Sequence, residues 1–385
     1  MTKVYYSCIF SFLEHNNSMK KIIRNKIHLI IIPIIILMIF SILNMINAKY
    51  IMTDYENYYF KQITWFILGF ILIIAISNFK SKYFFKLSSI FYLINVILLI
   101  LVLFFGKEIN NTKAWFDLKY LSYQPSETMK LALILFLSSI VSNTEIKKLK
   151  DEFILIIKVL IITLIPAILT FLEPDTGAVI IYIVIALIIL FASTIKLRWF
   201  VIGLIIILLG LGSFIYLYLN YQDIFINIFG TSFFYRMDRI LEIGNGLQIE
   251  NALTAIGSSG IFGTGIKTVA IYFPEAPTDF VFALTISNFG YLGGLIVILT
   301  FIFFFIVLLL QIKKQNKKEN KLFIIAFLAM FIFQVAQNIL MNLGITPIIG
   351  ITLPFISYGG TSTLLYFLCI AIIISMMLEK KKISN

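Results

Sequence analysis

Cysteine and histidine are almost absent from this chain, and their scarcity removes whole classes of chemistry. Of 385 residues, two are cysteine and two are histidine. Cys8 falls in the amino-terminal tail and Cys369 in the last apolar run, so they make no pair, and no disulfide framework or cysteine metal cluster follows. His15 and His28 both lie near the start and outside every polar loop, which argues against imidazole catalysis and a multi-histidine metal site. Acid–base chemistry is left to carboxylates. Charge is scarce too: 13% of residues are charged and 60% are hydrophobic, where a soluble domain carries about 25% charged residues. The chain is expected to be an integral membrane protein. Strand alternation is missing, which argues against a barrel. There is no internal repeat of about 20 to 50 residues and no linker to a soluble domain.

What is present is a series of Phe-, Ile- and Leu-rich runs of the length a helix needs to cross the hydrocarbon core. Spans are expected near 27–47, 60–79, 84–105, 129–142, 153–172, 177–195, 199–220, 280–310, 323–342 and 348–378, about ten in all, the last of them interrupted. The fold class is therefore all-α and polytopic. Basic residues fall in alternate gaps: Lys20, Lys21, Arg24 and Lys26; Lys80, Lys82 and Lys86; Lys147, Lys148 and Lys150; Lys196 and Arg198; Lys313 to Lys321; Lys380 to Lys382. Because cytoplasmic loops retain Lys and Arg, both termini are expected in the cytoplasm. The same rule accounts for the net charge of +12 without any nucleic-acid partner. The expected layout is a cytoplasmic tail 1–26, a membrane domain 27–378 with a large extracytoplasmic loop 221–278 between helices 7 and 8, and a cytoplasmic tail 379–385. Met19-Lys20-Lys21 has the form of a normal start and is an alternative to Met1. No signal-peptidase site follows the first apolar run, which stays a helix.

Polar residues gather in a few constellations. Gln124-Pro125-Ser126-Glu127 with Lys130 reads as a helix start, with Pro125 in the first turn, Glu127 at the positive dipole end, and Ser126, Glu127 and Lys130 on one face. Lys130 lies just inside an apolar run on the outer side, where it either awaits a phosphate or pairs with a carboxylate. Glu173-Pro174-Asp175-Thr176-Gly177 is a turn between spans too close for a real loop, either solvated or leaning into a shared cavity. After Asn338 and Asn342, the stretch Thr346 to Gly360, with Ser357, holds prolines and glycines that forbid one regular helix. A re-entrant or broken helix is expected there, since irregular backbone at membrane depth needs protein or water to satisfy it. The outer loop supplies Tyr235-Arg236-Met237-Asp238-Arg239, a match for phosphate oxygens or an interfacial pair. It also supplies Ala255 to Gly265, whose glycines let backbone amides approach an anion or simply turn the chain. A Rossmann or Walker arrangement is excluded, because no strand–glycine loop–helix order exists.

The segment Phe273-Pro274-Glu275-Ala276-Pro277-Thr278-Asp279-Phe280 places two carboxylates where the outer loop re-enters apolar sequence. Asp279 there either complements a helix dipole or does chemistry.

Together these motifs, from about residue 110 to 376, resemble the SEDS family of shape, elongation, division and sporulation proteins, the RodA/FtsW/SpoVE group. The resemblance implies ten transmembrane helices with a large outer loop after the seventh. It implies a peptidoglycan glycosyltransferase at the outer face of the bacterial cytoplasmic membrane, polymerising lipid II, the undecaprenyl-pyrophosphoryl disaccharide-peptide, beside a class B penicillin-binding protein. Asp279 matches the family's catalytic aspartate, and the helix amino-terminus would keep it ionised, ready as a base but not a strong one. Glu275, Lys130, Glu127, Ser126, Arg236, Arg239, Asn338 and Ser357 are the candidate substrate-binding residues. A divalent cation, magnesium or manganese, is a candidate cofactor with no ligands assigned, and no organic cofactor is expected. A lipid-linked precursor flippase and an inactive cell-wall scaffold are the alternative functions. The chain departs from the family at Ser287 and Asn288, where a Glu-Glu pair is usual, and at Ser259 and Thr264 in the glycine-rich loop, with Lys267 as a substitute basic residue.

Overall fold

The computed structural model describes residues 27–50, 55–109, 112–117, 122–231, 234, 246–266 and 271–383. Its helices are α1 (His28–Ala48), α2 (Tyr58–Ser77), α3 (Ser81–Lys86), α4 (Ser88–Phe105), α5 (Pro125–Asn143), α6 (Leu149–Leu172), α7 (Thr176–Phe191), α8 (Arg198–Asn220), α9 (Gln222–Phe229), α10 (Leu247–Ser258), α11 (Val281–Lys314), α12 (Lys318–Asn342) and α13 (Gly360–Ile383). Among the described residues, nine helices are long and apolar enough to cross a membrane, and α7 is a shorter apolar helix. The chain is a mostly helical, multi-pass membrane protein. The expected spans mark where lipid begins and ends, whereas helices continue past it. α12 thus starts at Lys318 and α11 runs to Lys314, each carrying charged residues beyond the apolar stretch.

α5 lies at the centre, packed against α4, α7, α12 and α13. It starts where Pro125 fixes the first turn and buries most of its length, including Ser126, Lys130 and Ser138. α13 packs along α2, and α1 lies against α11. α8 is different: most of its apolar side chains are exposed along the helix, and it is long and apolar enough to cross a membrane. Its first turn is held by Glu152 of α6, which accepts from Trp199 Nε1 at 2.7 Å and Arg198 Nη2 at 3.3 Å.

The connection from α4 to α5 is a small antiparallel sheet, β1 (Lys107–Ile109), β2 (Thr112–Asp117) and β3 (Ser122–Tyr123), in that spatial order. No strand is expected there from the sequence, because pieces this short carry too little alternation to be read. The sheet delivers the chain to Pro125, and Thr361 at the start of α13 bridges it by donating to Ser122 O at 3.1 Å and accepting from Gln124 N at 3.2 Å.

α11 is broken at Gly290, whose φ of 68° and ψ of −171° interrupt the helix inside an uncharged apolar run. The glycine-rich loop repairs the break. Thr264 N and Gly265 N donate to Ser287 O and Asn288 O at 2.9 and 3.1 Å, while Tyr291 N and Leu292 N donate to Gly260 O and Ile261 O at 3.1 and 3.2 Å. The two backbones run so close that a Cβ on Gly290 would sit 2.1 Å from Ile261 O, and one on Gly263 2.4 Å from Asn288 C and O. These loop amides are therefore spent on a helix, which answers why the glycines are there without an anion.

Residues 343–359 are non-helical, so the last expected span begins as irregular chain and becomes helix only at Gly360. Its polar main chain finds protein partners, as irregular backbone at membrane depth requires. Ser41 Oγ donates to Ile356 O at 2.7 Å, Gln62 Nε2 to Ser357 O at 3.3 Å, and Asn338 Nδ2 to Ile351 O at 2.8 Å. Phe355 is enclosed by the rings of Phe304, Phe331, Tyr366 and Phe367.

Candidate active site

The starts of α5, α7 and α11 meet the end of α12 and the irregular segment 343–359, and this junction gathers the polar motifs. Asp175 joins the first two. Its Oδ1 caps α7 by accepting from Ala178 N at 3.0 Å, and its Oδ2 accepts from Gln124 Nε2 at 3.0 Å and Ser126 Oγ at 2.9 Å. A Cβ on Gly177, two residues on, would lie 2.5 Å from Ile349 O, so segment 349–351 passes tightly over this turn. The same segment borders Asp279, with Oδ2 3.9 Å from where a Cβ on Gly350 would stand.

Asp279 is not part of α11, which starts at Val281, and its carboxylate makes no helix-capping bond. It sits in a turn in which Thr278 N and Phe280 N donate to Glu275 O at 3.2 and 3.0 Å. Among the described residues no hydrogen bond or ion pair holds its carboxyl. Burial pushes that carboxyl from the ordinary 3.8 up to about 7, and the neighbouring Glu275 and Asp175 add to the shift. The helix terminus was expected to keep it readily ionised; desolvation and the two like charges outweigh the dipole. Glu275 is half-buried with a φ of 55°, and its Oε2 accepts from Thr278 Oγ1 at 2.6 Å. Tyr55, ahead of α2, lies beside Glu275, and burial first and that carboxylate second push its phenol to about 12. Glu173 is fully buried with neither oxygen partnered among the described residues, and burial, then Asp175, raises it to about 9, so it is neutral near pH 7.

The remaining sequence candidates divide. Ser126 joins the cluster through Asp175. Lys130 and Glu127 form an ion pair at 2.6 Å, with Lys130 only 2% exposed, and one carboxylate oxygen of Glu127 has no partner. Of the two roles open to Lys130, the structure shows pairing with a carboxylate. Asn338 and Ser357 are buried with side chains engaged by main chain: Asn338 Nδ2 donates to Asp279 O and Ile351 O, both at 2.8 Å, and Ser357 Oγ donates to Thr278 O at 2.6 Å and accepts from Leu353 N at 2.7 Å. Arg236, Arg239 and Lys267 lie outside the described residues. The structure adds Asp175, Gln124 and Asn342 to the site. Asp175 and Gln124 stand inside motifs visible in the sequence, and Asn342 follows Asn338 by one helical turn, on the same face.

Among the described residues no three carboxylate, histidine or cysteine side chains converge as a metal cage. Glu275 and Asp279, four residues apart in one turn and repelling one another, are the pair that suits the usual magnesium mode of one or two carboxylates completed by substrate phosphate and water.

Comparison with known proteins gives the same assignment along nearly the whole chain. The model of the FtsW/RodA/SpoVE family, described as cell cycle protein, matches residues 21–382. A probable peptidoglycan glycosyltransferase FtsW of Wigglesworthia glossinidia brevipalpis is 33% identical over 336 residues, 83% of this chain and 84% of the relative. One from Buchnera aphidicola subsp. Baizongia pistaciae is 31% identical over 335 residues, 83% of each chain. Stage V sporulation protein E of Bacillus subtilis is 27% identical over 369 residues, 90% of this chain and 96% of that one. In fold, the chain is similar to one in a peptidoglycan synthase complex that coordinates polymerization and crosslinking, with a TM-score of 0.75 at 23% identity over 90% of this chain and 97% of that one. It is also similar to the rod shape-determining protein RodA of Thermus thermophilus, with a TM-score of 0.65 at 23% identity over 90% and 96%. Ordered motifs, multi-pass helical architecture and full-length matches converge: the chain belongs to the FtsW/RodA/SpoVE family of cell cycle proteins.

Proposed function

We propose that this protein is a peptidoglycan glycosyltransferase that polymerises lipid II at the outer face of the cytoplasmic membrane, with Asp279 as its general base. The observation that carries the assignment is a carboxyl with no hydrogen-bond or ion-pair partner among the described residues, raised to about 7 by burial and two neighbouring acids. A base tuned near the working pH combines an adequate ionised fraction with real proton affinity. In the reaction, the 4-hydroxyl oxygen of the acceptor sugar attacks the anomeric carbon of the donor. Its proton passes to the Asp279 carboxylate, and the bond from that carbon to the pyrophosphate oxygen breaks. Lipid pyrophosphate leaves with the electron pair, and Asp279 returns its proton to water.

Glu275 keeps Asp279 basic by its charge, and Asp175 fixes the starts of α5 and α7 around the same turn. Arg236 and Arg239 are the proposed partners of the leaving phosphates. Lys130 is tied to Glu127 in a buried ion pair that steadies the start of α5. Magnesium or manganese, held by Asp279 and Glu275, would supply charge neutralisation at the pyrophosphate. The alternate placement of basic loops supports a topology with both termini in the cytoplasm and this junction outside. A class B penicillin-binding protein is the proposed partner, since the structurally similar chain belongs to an assembly that couples polymerization to crosslinking.

The test is polymerisation of labelled lipid II by the purified protein with its transpeptidase, with and without added magnesium. Glycan strands from wild type and none from Asp279→Asn are expected. Equal polymer from both removes Asp279 from the chemistry. Transport of labelled lipid across vesicles without polymer would instead favour a flippase.

A further inference from the structure

Among the described residues no hydrogen bond or ion pair holds the Asp279 carboxyl, so its place is set through its own main chain. That main chain is gripped at every carbonyl. Tyr358 N donates to Pro277 O at 2.8 Å, Ser357 Oγ to Thr278 O at 2.6 Å, and the Nδ2 groups of Asn338 and Asn342 both donate to Asp279 O, at 2.8 and 3.0 Å. Asn342 also reaches past the aspartate. Its Oδ1 accepts from Ala283 N at 2.9 Å, one of the first-turn amides of α11 that the helix itself leaves unbonded. Its second amide hydrogen goes to Asn338 O at 2.8 Å, back on its own helix. Asn338 and Asn342 are fully buried and one turn apart on α12. Neither has a donor left for substrate, because each amide is already divided between two carbonyls.

We propose that Asn342, acting with Asn338, is a positioning residue that fixes the Asp279 carboxyl by clamping the Asp279 carbonyl and the first turn of α11 to α12. The assignment rests on Asp279 being the base. It gives Asn338 and Ser357 a different task from substrate binding: they hold the turn that carries the reacting group. A shift of about 1 Å in such a group costs on the order of a hundredfold in rate, so the clamp acts on turnover and leaves substrate affinity alone.

The experiment uses the full chain in proteoliposomes with labelled lipid II and two variants. Asn342→Leu keeps the volume and loses every bond. Asn342→Asp keeps an acceptor for Ala283 N and loses both donors, which guards against a variant that fails to fold. Expected is a fall in kcat of about tenfold or more, with KM for lipid II within about twofold of wild type and melting curves that remain cooperative. A folded variant with unchanged kcat overturns the proposal, as does a raised KM with kcat retained, which would make Asn342 a substrate contact. A second measurement does not need activity: amide hydrogen exchange across 277–283 is followed in each protein. Faster exchange there than in wild type is expected in Asn342→Leu, which loses the bonds to Ala283 N and Asp279 O. If no protein makes polymer, the glycosyltransferase assignment fails, yet this exchange still decides the clamp, and unchanged protection of 277–283 overturns it.

Discussion

Replacing Asp279 by Asn is expected to stabilise the protein above neutral pH while abolishing its activity. In the folded chain, burial and the charges of Glu275 and Asp175 raise the carboxyl from 3.8 to about 7. Between those two values the unfolded chain has released a proton that the folded chain still holds. Stability therefore falls as pH rises through this window and stays reduced above it. A gap of about three units amounts to at most about 4 kcal/mol, a ceiling because Asp279 keeps part of its surface exposed and solvent screens charges there. Asparagine keeps the shape and has nothing to ionise. The measurement is the melting temperature of wild type and Asp279→Asn in one detergent and ionic strength, from about pH 4 to about pH 8.5. The variant's advantage should be near zero at the acid end, grow through the window and level off above about pH 7. An advantage that is the same at every pH refutes the burial account. One that reverses sign would mean that Asp279 is held as a partnered carboxylate.

Two further outcomes follow from single contacts. Gly290→Ala puts a Cβ 2.1 Å from Ile261 O at a φ of 68°, a backbone region costing about 1–3 kcal/mol for other residues before any clash. A lower melting temperature and faster proteolysis within 246–266 are expected, and wild-type behaviour in both would show that the loop does not close the break in α11. Lys130→Met leaves Glu127 charged and alone in the interior, a loss of about 3–5 kcal/mol, which Lys130→Met with Glu127→Gln should largely restore. A double variant no more stable than the single one would show that the pair is not what matters there.

The sequence was informative where physical constraints are local and failed where they depend on a distant partner. Apolar run length marks the membrane spans, Pro125 marks the start of α5, and Pro and Gly density marks 343–359 as irregular, because each is a property of neighbouring residues. The break at Gly290 leaves no local sign: one glycine in an apolar run reads as ordinary helix, and its cause is a loop about thirty residues away in sequence whose backbone fills the gap. The raised carboxyl of Asp279 leaves no local sign for the same reason. The dipole of its own helix is legible, while the burial and the Asp175 charge that outweigh it come from other elements. Asn338 and Ser357 were recognisable as polar residues in apolar surroundings. Their partners, the carbonyls at 278 and 279, belong to a different stretch of chain.

Ser287 and Asn288 show how a departure from a family pattern can be absorbed. SEDS proteins usually carry a Glu-Glu pair at this place, and its loss was the best argument for an inactive scaffold. In this chain Asn288 Nδ2 donates to Asn44 Oδ1 at 2.9 Å, Asn47 Nδ2 donates to Asn288 Oδ1, and Asn44 Nδ2 donates to Thr285 Oγ1 at 2.8 Å. These buried amides join α1 to α11 just before its break, as a neutral network that needs no counterion. A carboxylate at 288 would lose the donor to Asn44 and bury a charge with no cation among these partners. The amides at 288, 44 and 47 thus form one network shared by two helices. The bonds that hold the Asp279 turn come from Asn338, Asn342, Ser357 and Tyr358, and involve neither Ser287 nor Asn288. The departure alters how α1 is fastened and leaves the support of the proposed base intact, so it does not argue for loss of catalysis.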